Sequence, residues 1–488
     1  MHSLATFKTI LADRGYTRRN LHAIGAFRGE PINRRAALDA TDSELAWHTL
    51  ARIFFLNVPV PAQALARALA PFALDDLRSR GILIKEPGDL VRSQAAIVPV
   101  GELLTFRDFE PGETGHPLRP DHVLGVGMAT SMLSTLTVRF DASRMLDLGT
   151  GQGFHAMAAA GHCGRIIATD VNPRALTFAR WGIEANAIDN VELRQGSLYE
   201  PVAAEAPFDL IVSNPPFIIS PKHDLVCLGG ESEGDDLVQR LVHLTPALLA
   251  EGGFACLACN WHHADADAWS RRPRHWLNNG GCDAWLIRIR EQTAAEYVDQ
   301  WMSEASIAGP DGAAISRESW TDSLQRLGAA FVSLGVLVIR KRTSERHWFR
   351  ADSLSLEDCT GDASEQILRI FDNQTLLAEC DDKSELAELA WGLAPRHELV
   401  QRRKGTGGGG WSVEQSRLRQ TSGFAFEVEL DSHAAELLGF LDGMTPSREI
   451  IAVMAKRMKA DPEHAVKASG AFLSHLAELG YLQLPRET

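Results

Sequence analysis

Through the middle of the chain, apolar runs alternate with helical segments. Arg144 to Leu148, Arg165 to Thr169, Asn190 to Leu193, Phe208 to Ser213 and Gly253 to Ala258 read as strands. Pro173 to Ala187 and Leu237 to Ala250 read as helices between them. Such alternation implies an α/β fold, with a mostly parallel sheet covered on both faces. Two later runs, Asp283 to Ile289 and Ala330 to Arg340, are expected to complete the sheet as an antiparallel pair.

Three segments at the ends of these strands carry chemistry. The first is Asp147-Leu148-Gly149-Thr150-Gly151-Gln152-Gly153. In an α/β sheet this turn leaves the carboxyl end of the first strand and opens a helix, and its glycines let a cofactor approach backbone amides. The dinucleotide fingerprint would need glycine where Phe154 stands. A carboxylate at Asp147 repels a pyrophosphate and attracts an ammonium. S-adenosylmethionine carries an ammonium and a sulfonium, so the sign fits. Asp170 ends the second strand, where a carboxylate can accept from both ribose hydroxyls. Ser197, after the third strand, is expected near adenine, with a hydroxyl that donates or accepts.

The third segment is Asn214-Pro215-Pro216-Phe217, which leaves the fourth strand. An amide or exocyclic amino nitrogen is a poor nucleophile because its lone pair is delocalised. The side-chain carbonyl of Asn214 and the backbone carbonyl of Pro215 can accept its two N–H bonds and aim it at a methyl donor. Pro215 and Pro216 hold those carbonyls rigidly, and Phe217 can stack on a planar substrate. No metal or covalent enzyme intermediate is needed, and no general base is evident.

From about Arg119 to Ala258 the chain resembles the class I S-adenosylmethionine-dependent methyltransferases with an NPPF motif. It is similar to the release-factor glutamine N5 and ribosomal-RNA guanine-N2 enzymes of the methyltransferase small-domain family. The resemblance implies a Rossmann-like, mostly parallel seven-stranded sheet and S-adenosyl-L-methionine as cofactor. It implies that Asp147, Gly149, Thr150, Gly151, Gly153, Asp170, Ser197 and Asn214 bind the cofactor. It also implies that Asn214, Pro215, Pro216 and Phe217 hold the acceptor nitrogen. Leu118-Arg119-Pro120-Asp121-His122 resembles the substrate-side lead-in of the glutamine enzymes. Phe217 stands where those enzymes usually carry tyrosine.

The acceptor is expected to be a planar nitrogen of a macromolecule, with protein glutamine or another peptide amide favoured by the net charge of −14. A ribosomal-RNA base is the alternative, served by the basic clusters Arg271/Arg272/Arg274, Arg340/Lys341/Arg342 and Arg402/Arg403/Lys404. A small-molecule acceptor and a non-catalytic, ligand-sensing regulator come after these. Trp261, His262 and His263, just past the fifth strand, are candidates to line the acceptor pocket or to pack.

The ends read as separate modules. Residues 1–110 are mostly helical, with a capping box at Thr41-Asp42-Ser43-Glu44 and two strands, 82–84 and 90–98, in a winged-helix-like order. Met1 to Asn20 reads as a short amphipathic helix without signal-peptide features. Residues 111–345 form the catalytic domain, and 346–488 a C-terminal β plus winged-helix-like domain. In that last domain the strands are expected at 374–377, 399–402 and 424–430. Its helices are expected at 434–441, from Pro446 through Met454 and from Pro462 to Leu479, with a final strand at 481–484. Gly407 to Gly410 is expected to be a flexible loop. Seven cysteines in 488 residues make no disulfide framework. Cys256 and Cys259 lie in a strand that points them to opposite faces, so no metal site is expected. No uncharged apolar run reaches about 18 residues, so no membrane span is expected and the protein is read as cytoplasmic. The sequence leaves the oligomeric state open.

Overall fold

A computed structural model describes residues 2–26, 32–110, 118–205, 207–221, 225–228, 233–277, 280–304, 315–406 and 408–485. Packing divides the chain into two compact units. One holds residues 1–131, 140–278 and 291–335, and the other holds 132–139, 279–290 and 336–488.

The central sheet is built from β1 (Ala142–Leu148), β2 (Cys163–Asp170), β3 (Val191–Gln195), β4 (Phe208–Ser213), β5 (Leu249–His263), β6 (Cys282–Thr293), β7 (Phe331–Lys341) and β8 (Phe349–Ser353). Its order is β8-β6-β7-β5-β4-β1-β2-β3. Strands β3, β2, β1, β4 and β5 pair in parallel, with Leu146 opposite Ile167 on one side and Ile211 on the other. Strand order therefore reverses between β1 and β4, and a sheet of this kind opens a crevice at the carboxyl ends of those two strands. Strand β7 runs antiparallel to β5 and β6. Ala330 N, at its start, donates to His263 O at the end of β5, and Arg342 N, past its end, donates to Gly281 O before β6. The sheet has one strand more than the seven expected. Strand β8 is short and polar, and it pairs in parallel with β6 at the edge.

Helices α1 (Met128–Leu136), α2 (Phe154–Ala159), α3 (Pro173–Ala185), α4 (Asp236–Leu248), α5 (Ala294–Glu304) and α6 (Arg317–Arg326) accompany these strands. Asn172 caps α3 through Arg174 N, with Pro173 at the first turn, where a missing N–H costs nothing. Helix α3 joins the N-terminal residues in one core. Ala175, Phe178, Trp181 and Ala185 pack with Phe7, Phe54, Leu77 and Phe106. The seam is also polar. Arg174 Nη2 donates to Asp108 Oδ1 at 2.6 Å, Arg80 Nη2 to Glu184 Oε1 at 2.7 Å, and Asn186 Oδ1 accepts from Leu104 N at 3.0 Å.

At the N-terminus two helices, Leu4–Asp13 and Arg18–Ala23, replace the single one expected. Gly15 sits between them at φ +83°, and Ser3 and Thr17 each cap a helix of their own. The capping box does not form. Thr41 Oγ1 bonds back to Ala37 O as the preceding helix ends, and Ala46–Phe54 begins without a side-chain cap. The expected strand 90–98 is two strands in two hairpins: Leu90–Ser93 pairs with Leu83–Glu86, and Ala96–Val100 pairs with Leu103–Arg107.

In the second unit, residues 374–377 are helical, within Ser364–Glu379, instead of forming a strand. Three helices, Ser432–Leu438, Ser447–Arg457 and Pro462–Glu478, lead to a short strand, Leu482–Gln483, that pairs with Gly392–Leu393. A separate ribbon of His397–Gly405 and Trp411–Gln420 is joined by Glu427–Leu430. Two of the three basic clusters are partly consumed in ion pairs. Arg340 and Arg342 both face the fully buried Asp283, at 3.5 and 2.9 Å, and Arg272 forks onto the buried Asp235.

Truncation of Phe178 tests whether α3 and the N-terminal residues share one core. Phe178→Ala should cost about 3–5 kcal/mol and shift the guanidinium unfolding of both segments together, read by hydrogen exchange at α3 and at Leu4–Asp13. Loss of protection at α3 alone would contradict a shared core.

Candidate active site

The turn after β1 is organised by one carboxylate. Asp147 is 1% exposed. Its Oδ2 accepts from Thr150 Oγ1 at 2.6 Å and from Ala156 N at 2.9 Å, so it fastens the turn to the start of α2. Its Oδ1 is buried and has no hydrogen-bond partner among the described residues. Burial pushes its pKa up to about 6, against the opposing pull of those two hydrogen bonds.

Gly149, Gly151 and Gly153 have φ of +69°, +55° and +86°, in the left-handed region that favours glycine. A β-carbon at Gly149 or Gly151 would meet no atom within 4 Å, so these two glycines border open space. Gly153 has a different duty. A β-carbon there would lie 3.0 Å from the β-carbon of Ala179, so glycine lets α2 and α3 approach closely.

Asp170, at the end of β2, holds the far wall. Its Oδ2 accepts from Gly151 N at 2.8 Å and its Oδ1 from Asn172 N at 2.8 Å, while burial raises its pKa. Asp170 O also accepts from Gly196 N at 3.0 Å, which draws the turn carrying Ser197 to the same edge. Ser197 itself is exposed. The Arg119–His122 segment lies against this corner. Asn172 Nδ2 donates to Asp121 O at 2.9 Å, and Arg119 forks onto Asp121 at 2.9 and 3.1 Å.

The Asn214–Phe217 segment begins where β4 ends. Ser213 Oγ donates to Leu148 O at 2.8 Å, in a buried bond that ties this loop to the residue before Gly149. Asn214 Nδ2 donates to Thr130 Oγ1 at 3.2 Å. Neither Asn214 Oδ1 nor the Pro215 carbonyl accepts a hydrogen bond from a described residue. Pro215 is buried, and Asn214, Pro216 and Phe217 are half-buried.

Residues far along the chain support this loop. The buried Tyr297, on α5, accepts through its hydroxyl from Ile219 N at 3.0 Å and from Asn260 Nδ2 at 3.4 Å. Asn260 is 5% exposed, and its Oδ1 has no partner among the described residues. Neither residue stands out in the sequence, because the contact spans 78 positions and tyrosine on an amphipathic helix reads as core. Trp261, His262 and His263 are all buried. Trp261 Nε1 donates to Trp269 O at 2.7 Å, His263 contacts Ser333 at 3.0 Å, and His262 Nε2 lies 3.9 Å from Asp235. Cys256 and Cys259 are buried in β5, and no described group of three or more His, Cys, Asp or Glu residues is placed to hold a metal ion.

The open cradle at Gly149 and Gly151, an orphaned carboxylate oxygen beside it and a second carboxylate at the next strand end suit a cofactor bearing an ammonium and a ribose. S-adenosylmethionine has both.

The raised pKa of Asp147 gives a signed prediction. A carboxyl that titrates at about 6 in the folded chain and near 3.8 unfolded binds more protons when folded. Its contribution to stability therefore falls as pH rises from about 4 to 6. The fall is on the order of 3 kcal/mol. Asp147→Asn removes that titration. The stability of the variant relative to the parent should rise by a similar amount between pH 4 and pH 7, read by guanidinium denaturation of the cofactor-free protein. A difference independent of pH would contradict the assignment.

Comparison with known proteins agrees with this geometry. Residues 126–268 match the methyltransferase small domain, and two further matches, at 25–94 and 369–483, are to domains of unknown function. The chain is 32% identical over 205 residues to the release factor glutamine methyltransferase of Aliivibrio fischeri, covering 41% of this chain and 63% of that protein. It is 30% identical over 254 residues to the enzyme of that name from Xylella fastidiosa (strain Temecula1), covering 47% and 79%. The Yersinia pestis protein of the same name is 35% identical over 160 residues, 30% of this chain and 55% of its own. The chain thus spans somewhat less than two thirds of the Aliivibrio relative and more of the Xylella one. With the glycine turn, the paired aspartates and the Asn-Pro-Pro-Phe loop on one sheet edge, this chain belongs to the S-adenosylmethionine-dependent methyltransferase family that includes the release factor glutamine methyltransferases.

Proposed function

We propose that the chain transfers a methyl group from S-adenosylmethionine to the side-chain amide nitrogen of a glutamine, or a similar peptide amide, in a protein. The observation that carries this reading is the pair of uncommitted carbonyls, Asn214 Oδ1 and Pro215 O, on a loop hydrogen-bonded to the glycine turn. A primary amide presents two N–H groups in one plane, and acceptors on two successive residues can take one each. The names of the relatives favour protein glutamine over an RNA base.

In this reading Asp147 Oδ1 takes the ammonium of the cofactor, Gly149, Thr150 and Gly151 form the turn that its amino-acid end lies against, and Gly153 lets the helices close behind it. Asp170 takes the ribose, and Ser197 borders the adenine. When bound, the cofactor supplies a methyl group on a sulfonium, an activated leaving group. Asn214 and Pro215 accept the two N–H bonds of the acceptor, which localises its lone pair and fixes its direction. Phe217 stacks on the amide plane. Alignment of this kind is worth on the order of 7–11 kcal/mol of barrier. Residues 1–110 and 346–488 flank a catalytic domain of 111–345.

Asn214→Ala tests the clamp. It should leave binding of S-adenosylhomocysteine within about twofold by calorimetry and lower kcat by about 10²–10³-fold, the usual loss when one preorganised polar group is removed. Equal loss of both would assign Asn214 to cofactor binding alone, unchanged kcat would overturn its role in the clamp, and absence of turnover in the parent protein with cofactor bound would point to a ligand sensor. The acceptor class is read from transfer of labelled methyl into unmethylated cell extract. Label should be destroyed by protease and survive RNase. The reverse pattern would establish the RNA alternative.

A further inference from the structure

Among the described residues, none covers the outer half of the ribbon of His397–Gly405 and Trp411–Gln420. Every residue from Glu398 to Gly405 and from Trp411 to Glu414 is exposed. Burial returns at Ser416, Leu418 and Gln420, where Glu427–Leu430 pairs alongside. The tip is ordered by local bonds: Thr406 N donates to Gly410 O at 3.0 Å and Thr406 Oγ1 to Gly409 O at 3.0 Å. The glycine run expected to be a flexible loop is, in its described residues, the turn of a hairpin. A nine-residue strand reaches about 30 Å, so this is an arm and not a surface loop.

Its chemistry differs from the rest of the chain. Between His397 and Gln420 stand five cations and two carboxylates, in a chain of net charge −14; Arg417 and Arg419 pair with Glu427 and Glu429 on the adjoining strand, so the cations of the outer half are Arg402, Arg403 and Lys404. Arg402 pairs with Glu414 at 2.9 Å, and Arg403 touches only Gln401, at 3.1 Å. Lys404 has no charged partner among the described residues. The other two basic clusters each give an arginine or more to a buried carboxylate, whereas the one ion pair in this cluster, Arg402 with Glu414, lies on the exposed surface. Trp411 lies opposite Gly405, one residue from Lys404, and is 74% exposed. Leu399, Val400 and Val413 are 43%, 51% and 40% exposed on the same ribbon. A bare indole on the face that carries Arg403, with Lys404 and Arg402 at the adjoining strand positions, offers a stacking surface close to cations that can meet phosphate.

We propose that this arm is an RNA-docking element, separate from methyl transfer, in which Arg402, Arg403 and Lys404 follow the backbone of a single-stranded segment and Trp411 stacks on an unpaired base. Charge complementarity selects a polyanion over an acidic chain's usual protein partners. The exposed indole selects a strand whose base faces are free, and RNA loops offer these where a duplex hides them. A second copy of the chain is disfavoured as occupant. The outer strand His397–Gly405 is an open sheet edge, but its register shifts at Arg402/Arg403, and a bulge with clustered cations opposes edge pairing.

The test is fluorescence anisotropy of a labelled 12-nucleotide single-stranded RNA on the full chain, across 50–200 mM salt. Binding should weaken with salt. The triple variant Arg402→Ala/Arg403→Ala/Lys404→Ala should lower the slope of log K against log salt by about 2, near 0.7 per lost phosphate contact. Trp411→Ala should weaken binding by about 5- to 100-fold with the slope kept. Both variants should retain the parent melting temperature and methyl transfer to a glutamine peptide, because the altered residues are exposed and lie in the second unit. Four outcomes would overturn the proposal: no RNA binding at 50 mM salt, binding untouched by either variant, tighter binding to polyglutamate or to DNA of the same sequence, or a shift to a dimer in light scattering that Trp411→Ala abolishes.

Discussion

A buried carboxylate with one satisfied oxygen and one unsatisfied oxygen governs this site. Asp147 loses its water on folding and recovers only two hydrogen bonds, both through Oδ2. Those bonds fold the glycine turn back on β1 and fasten it to the first residues of α2. The other oxygen meets no donor among the described residues, and burial raises the pKa of the group. An unpaired buried acceptor is expensive, and a site that keeps one is poised for a cationic ligand that repays the cost. Catalytic scaffolds store binding energy in this form: stability of the empty protein is exchanged for affinity.

From that point the geometry propagates by short steps. Thr150 and Gly151 reach β2 through Thr169 O and Asp170, and Gly196 extends the line to β3. Ser213 carries it the other way, to the loop of Asn214–Phe217 on β4. Tyr297 then backs that loop from α5 by holding Ile219 N. Apart from Tyr297 and Ile219, these residues sit at the carboxyl ends of β1, β2, β3 and β4, and β1 and β4 are the pair at which the strand order reverses. The parallel sheet is thus the reason that groups far apart in sequence face one crevice.

The parts of this arrangement set by local chemistry were legible in the sequence. Strand β4 was expected over Phe208 to Ser213 and spans those residues, because an apolar run ends at an Asn-Pro-Pro turn that no strand can continue. Helix α3 starts at Pro173 as expected, since Asn172 and Pro173 form a start signal. Failures came where distant packing overrode local preference. Thr41 has the spacing of a capping residue but serves as the end of an earlier helix. Residues 374–377 alternate like a strand but complete a sixteen-residue helix whose apolar face is buried. Strand β8 is too short and polar to register. Tyr297 and Asn260 could not be found, because nothing local marks a tyrosine whose hydroxyl supports a loop 78 residues away. The basic clusters looked alike in the sequence, and only the fold separates cations consumed by Asp235 and Asp283 from those left on the ribbon.

The claim that joins these parts is that the orphaned oxygen of Asp147 and the uncommitted carbonyls of Asn214 and Pro215 address two ends of one reaction. A crystal structure with S-adenosylhomocysteine measures this directly. The account predicts the ammonium of the ligand on Asp147 Oδ1, with its sulfur turned towards Asn214 and only enough space for a methyl group and an amide between them. A ligand that left Asp147 Oδ1 without a donor, or whose sulfur faced away from Asn214, would contradict it.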